Sequence, residues 1–331
     1  MFRAPIYRVC LLPYPTPLRG RGSRFHASST GLIIAAALLA PAAALAAPNP
    51  PAPAQAPKAA APVDLAFGAY QRGDYHEAMR EARKRVDDNP NDAAALTLIG
   101  RMYSEGAGVK RDAKLGADYF RRAADAGDAT GAYLYGATLL ANAPVTSERK
   151  LAKAYLEKAA AQNYGSALNL LGEMALENNG AYADFATAAG YFRRGAELGD
   201  ADAAYALAEL SRKGKGVEKN DAEAARWFGV AAAQGHQAAM VELAIMQFNG
   251  SGAPRDVDSA VKLLREAARL GNAVAQNRLA YVLAQGKGVE HDLAEAAKMR
   301  DLARAKGLKD DALDRLLDDL TKEQSRNAKG R

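Results

Sequence analysis

A chain of 331 residues with a single cysteine cannot pair two thiols of its own, and four histidines leave little for a transition metal to bind. Its 44 Lys and Arg against 38 Asp and Glu give a formal net charge of +6. Five of the cations stand in the first 46 residues. Without them the balance is 39 to 38, which gives no general attraction for nucleic acid or anionic lipid.

Residues 1–46 carry Arg3, Arg8, Arg19, Arg21 and Arg24 and no acidic residue. The apolar run GLIIAAALLA follows at Gly31–Ala40, then the small-x-small triplet Ala44-Leu45-Ala46. That is the layout of a secretory signal peptide, and it predicts a mature chain beginning near Ala47 in the periplasm. The stretch before the apolar run is long for a leader, which leaves a start downstream of Met1 open. The alternative is an uncleaved inner-membrane anchor: Gly31–Ala47 is 17 residues and contains Pro41, at the short limit for a span. Membrane contact is expected only in that case. Cys10 would leave with the leader.

Residues 47–63 form a Pro/Ala-rich tether with Pro48, Pro50, Pro51, Pro53, Pro57 and Pro62. Such a run excludes a helix and favours extended polyproline geometry. Residues 64–92 read as a short helix pair that caps the rest of the chain at its N-terminal end. Gly73, Tyr75, Ala78 and Pro90 there resemble the end of a tetratricopeptide repeat.

From Ala93 the chain repeats itself every 36 residues. Counting on from Gly127 gives Asn163, Gly199, Gly235, Gly271 and Gly307. Counting on from Gly108 gives Pro144, Gly180, Gly216, Gly252 and Gly288. Six units fill 93–308 without a gap, and a fixed period of this length means a stacked architecture. Within the first unit Leu96, Ile99, Gly100 and Tyr103 share one helical face, and Gly100 allows close approach of a second helix. Gly106 and Gly108 end the first helix in turn conformations that a Cβ disfavours. Asp112 caps the second helix, as Asn220, Asp256 and Asp292 do later, and Asp128 is placed to cap the next unit. Asn220 with Glu223, and Asp292 with Glu295, have the spacing of capping boxes. Tyr119, Phe120, Ala123 and Ala124 form the buried face of the second helix. Tyr155, Tyr191 and Trp227 share the register of Tyr119 and read as core rather than as a stacking platform for bases.

These residues resemble Sel1-like repeats. The pattern LG-x-x-Y-x-x-G-x-G-V-x-x-D followed by aromatics and Ala-Ala-x-x-G is matched by Ile99–Asp112 with Tyr119–Gly127, and more loosely by Leu207–Gly235 and Leu279–Asp292. The second and third units depart from it at Asn142-Ala143-Pro144 and Asn178-Asn179-Gly180, so their turns are expected to differ. The resemblance implies an all-α fold, an α/α superhelical solenoid of tetratricopeptide-like helix pairs that binds proteins or peptides. Exported bacterial members include regulators that restrain envelope sensor kinases and factors for assembly or polarity. Others are linked to β-lactam hydrolysis, but those carry paired cysteines in their repeats. Residues 309–331 add Leu313, Leu316, Leu317 and Leu320 at helical spacing, a final helix over the last repeat, with the polar tail from Glu323 expected to fray.

No constellation for chemistry stands out. His26, His76, His236 and His291 have no metal-ligand spacing and read as solvent-exposed polar residues. Nucleophile elbows, phosphate loops and paired cysteines are missing from the sequence. The expected function is therefore non-enzymatic, with no cofactor, no metal and no nucleic acid: an envelope scaffold or regulator gripping a protein or peptide partner. A membrane-anchored structural scaffold is the alternative. In helix-pair solenoids of this type the first helix of each unit lines the concave side. Three columns of positions there are expected to face the groove, and their apolar members are the candidate partner-binding residues: Tyr133, Leu140, Leu176, Tyr205, Val241, Ile245, Phe248 and Tyr281.

Overall fold

A computed structural model describes residues 64–142, 146–177 and 183–329, which contain fifteen α-helices and no strand. The leader, the tether and the two divergent turns at 143–145 and 178–182 lie outside the described residues.

The first pair is α1 (Leu65–Gln71) and α2 (Tyr75–Asp88). Six pairs follow: α3 (Ala93–Glu105) with α4 (Ala113–Asp125), α5 (Ala129–Asn142) with α6 (Thr146–Ala161), and α7 (Gly165–Glu177) with α8 (Phe185–Glu197). Then come α9 (Ala201–Lys213) with α10 (Asp221–Ala233), α11 (Gln237–Asn249) with α12 (Val257–Arg269), and α13 (Ala273–Gln285) with α14 (Leu293–Ala305). A last helix, α15 (Asp311–Lys329), packs on α13 and α14. Leu313 and Leu317 of α15 are buried. The helix continues through Glu323 to Lys329, so the polar tail is helical rather than frayed up to that point.

Most helices begin on a side-chain cap, α2 being an exception. Asp64, Asp92, Asp112, Asp184, Asp200, Asn220, Asp256, Asn272 and Asp292 accept a backbone N–H from the third residue onward, satisfying a donor that the helix cannot. The reciprocal half of the expected capping boxes is not made. Glu223 instead accepts from Trp227 Nε1 at 3.3 Å and pairs with Arg193 of the preceding unit at 3.3 Å. Glu295 likewise pairs with Arg265 of the preceding unit. A carboxylate that reaches a guanidinium gains a charge-assisted bond, which outweighs a neutral backbone donor. First helices end on Gly106, Gly214, Gly250 and Gly286, all at positive φ.

Small residues set the spacing within and between pairs. Buried alanines recur on every helix from α1 to α14, and large side chains fill the gaps between them: Leu96, Ile99 and Phe120 in the first unit, Phe192, Leu207 and Phe228 in the middle, Leu264 and Leu279 near the end. The two helices of each unit pack most extensively, and each second helix packs on the first helix of the next unit. Beyond these sequential contacts, α3 approaches α5, α5 approaches α7, and α7 approaches α9, whereas successive second helices stay further apart. From α3 to α9 the stack therefore bends toward its first helices, which line the inner face.

Candidate functional site

The inner face is built from the exposed sides of α3, α5, α7, α9, α11 and α13. The column Thr97, Tyr133, Asn169, Tyr205, Val241 and Asn277 runs along it, and here the structure corrects the sequence reading. Thr97, Asn169, Val241 and Asn277 are buried, with Val241 only 4% exposed. Val241 is therefore core and not a partner contact. The reason is that this column abuts the residue that starts the next unit's first helix. Thr97 Oγ1 donates to Asp128 at 2.7 Å, and Asn277 Nδ2 donates to Asp310 at 3.1 Å. Tyr133 stacks on Tyr164 with ring centroids 4.9 Å apart, and Tyr205 stacks on His236 at 4.5 Å. The column is an inter-unit joint, and only its tyrosines are long enough to reach the surface.

The other candidates remain half-exposed. Leu140, Leu176, Tyr205, Ile245, Phe248 and Tyr281 each lay one side on the core and keep another toward solvent. Tyr281 is further held by its hydroxyl, which donates to Asp310 at 3.0 Å. The structure thus brings seven of the eight candidates to one face and removes Val241.

Several polar residues of that face carry no motif and are not among the candidates. His236 was read as an exposed polar residue. It is half-buried, caps α11 by accepting the Ala239 N–H on Nδ1 at 3.1 Å, and has Nε2 3.3 Å from Asp202. Burial pushes its pKa down, with Asp202 and Asp200 pulling part of the way back. Glu242 is pushed up by burial, while Arg212, its partner at 3.1 Å, pulls it down. Glu173 is also pushed up, by burial first and then by the negative charges of Glu177, Asp202 and Asp200, against one lowering hydrogen bond from Asn169. Glu173 is nonetheless exposed to solvent on the inner face.

Between α5 and α7 the inner face deepens into a groove of about 380 Å³. Its floor is Ala137, Leu140, Leu170 and Met174, and its rim holds Glu173 and the ion pair of Arg149 with Glu177 at 2.9 Å. A second hollow of about 560 Å³ lies on α2, lined by His76, Arg80, Arg83 and Lys84 beside Gly108 and Val109. Among the described residues no group of three or more His, Cys, Asp or Glu side chains is placed to hold a metal ion, and no helix is long and apolar enough to cross a membrane. The inner face presents tyrosine, leucine, isoleucine and phenylalanine side chains between charged rims.

Comparison with known proteins agrees with this architecture. The Sel1 repeat family matches residues 93–128, 130–164, 165–200, 201–236, 237–272 and 273–306. The chain belongs to the Sel1 repeat family. A Sel1 repeat protein from Oxalobacter formigenes is 27% identical, over 72% of this chain and 94% of its own, with a TM-score of 0.61. A protective antigen present in uropathogenic Escherichia coli strains, described as displaying an SLR fold, is 25% identical with a TM-score of 0.64. That match covers 73% of this chain and 52% of the antigen. No curated protein matches the chain. Sel1 repeat proteins are generally non-enzymatic scaffolds for protein interaction, and the inner face of this one has the composition of such a surface.

Proposed function

We propose that this Sel1 repeat protein is a non-enzymatic scaffold or regulator of the bacterial cell envelope that grips a protein or peptide partner on the inner face of its solenoid. The observation that carries the reading is the half-exposed series Tyr133, Leu140, Leu176, Tyr205, Ile245, Phe248 and Tyr281 on the first helices. Aromatic and aliphatic side chains held by a rigid wall lose little freedom on binding and supply most of the affinity of protein interfaces. The envelope location rests on the basic leader, its apolar run and the Ala44-Leu45-Ala46 site.

The test is partner capture from crosslinked envelope fractions with wild type and with Ile245→Asp combined with Phe248→Ser. The double variant should keep its helical circular dichroism and melting temperature and lose the partner. Retention of the partner by that variant, with loss on charge reversal of the outer second helices, would overturn the inner-face reading. The intact mass of the protein in the same fractions reads the location: a chain still carrying Arg24 through Ala46 replaces export with anchoring.

A further inference from the structure

The first helices are not electrostatically alike. On α9 the carboxylate of Glu209 is neutralised by Arg212 and Lys213, and on α11 that of Glu242 by Arg212. Glu173 on α7, one 36-residue period before Glu209, has no ion pair among the described residues. Its one polar partner is the Asn169 side chain, whose Nδ2 donates at 3.0 Å. The charges that push its pKa up are Glu177, Asp202 and Asp200, of which Glu177 is paired with Arg149 on the same rim. Asp200, Asp202 and Glu173 itself also bear on Tyr133, whose ring stacks on Tyr164. Helix α5 itself contributes no charged residue at all.

A carboxylate without an ion pair, near other carboxylates, is a cost to the free protein, and an incoming cation relieves it. The Tyr133–Tyr164 stack beside it supplies ring faces that attract the same cation. Next to these lies the apolar floor of Ala137, Leu140, Leu170 and Met174, wide enough for one large aliphatic or aromatic side chain. An apolar floor and an uncompensated carboxylate on a single groove specify two features of an occupant at once.

Resting on the reading of the inner face as a docking surface, we propose that the α5–α7 groove takes a segment of the partner polypeptide that inserts an apolar side chain over Leu140 and Met174 and places a lysine or arginine on Glu173. The charge complementarity favours a basic segment over an acidic one, because the one cation on the rim, Arg149, is already paired with Glu177 and leaves Glu173 unmatched.

Selection of a random displayed peptide library on the purified full chain tests this. Enriched peptides should share a basic residue near a large apolar one. Synthetic copies, measured by fluorescence anisotropy, should weaken as salt rises and bind Glu173→Lys about tenfold or more weakly. Ala137→Trp, which fills the groove without changing charge, should block the same peptides. Circular dichroism of both variants checks the fold, and Glu173→Gln keeps the test informative should the reversal unfold the chain. Peptides without basic residues, or basic peptides indifferent to all three variants, overturn the proposal. If those peptides are instead lost with Ile245→Asp and Phe248→Ser, the inner face still binds and only the groove assignment falls. Binding indifferent to every inner-face variant removes both.

Discussion

A side-chain carbon added to Gly100 would stand 2.7 Å from the ring of Phe120, on the second helix of the same unit. Gly136 against Leu156 and Gly172 against Phe192 repeat the relationship at 36-residue steps. These glycines are there for closeness: all three lie inside helices, and the helix pairs approach through the space that a Cβ would fill.

Gly100→Ala should therefore destabilise the chain by about 1–3 kcal/mol, the cost of forcing a packed ring aside, in spite of the better helix propensity of alanine. Gly190→Ala is its control. Gly190 lies in the middle of α8, is exposed, and has nothing within 4 Å of an added Cβ. There the propensity gain of about 0.5–1 kcal/mol stands alone. Urea denaturation followed by circular dichroism reads both, and shifts of the same sign would refute the closeness argument.

Arg85 ties together the two caps that open the stack. Its guanidinium bonds Asp92 at 2.8 and 2.9 Å, and it pairs with Asp64 at 2.8 Å. Asp92 caps α3 and Asp64 caps α1. The hydrogen bond from Arg85 is the main cause holding the Asp92 pKa below its ordinary value. For Asp64, burial pushes upward, and the Phe67 N–H and Arg85 together pull it lower. Arg85→Gln should cost about 1–2 kcal/mol near neutral pH, a figure reduced because the group is a third exposed to screening water. Both carboxylates have depressed folded pKa values, so their contribution is full above about pH 4 and fades as pH falls through the folded values. The gap between wild type and variant should close in acid. An equal gap at pH 7 and pH 3 in urea titrations would show that the carboxylates are not its source.

The period, the helix pairs and the caps were legible because each rests on local chemistry that recurs in register. Even Asn163 obeys it. It stands in the column of Gly127 and Gly199 and is the one non-glycine residue at positive φ among the described residues, with φ of 62°. Asparagine tolerates that conformation better than other side chains. Burial on the inner face was less legible. Helical spacing says which residues share a face, but the rotation from one unit to the next decides how deeply that face is covered. Val241 and Ile245 lie four residues apart on α11, and only the former is sealed. Glu173 could not be singled out from sequence, because its character comes from charges on α9 that the stacking brings near. The Glu223 and Glu295 side chains escaped their capping boxes for the same reason: arginines of the previous unit lie within reach.

His236 makes the start of α11 sensitive to pH. The equivalent residue is Asp128 before the second unit, Asp200 before the fourth and Asn272 before the sixth. His236 can accept the Ala239 N–H only with Nδ1 unprotonated, which leaves the proton on Nε2, facing Asp202. A second proton removes the acceptor and places a charge in a half-buried site against the Tyr205 ring. Burial lowers the folded pKa below the unfolded value of about 6.5, so the unfolded chain binds the proton more readily. The capping contribution is thus complete above about pH 6.5 and is lost as pH falls through the folded pKa. Asp202 and Asp200 act in the opposite sense and narrow the window without reversing it. His236→Asn keeps a cap of the kind seen at Asn272 and removes the titration. Lowering the pH from about 7.5 to about 5 should therefore destabilise wild type more than His236→Asn in parallel urea titrations. Stability profiles that run parallel over that range would show that the cap survives protonation.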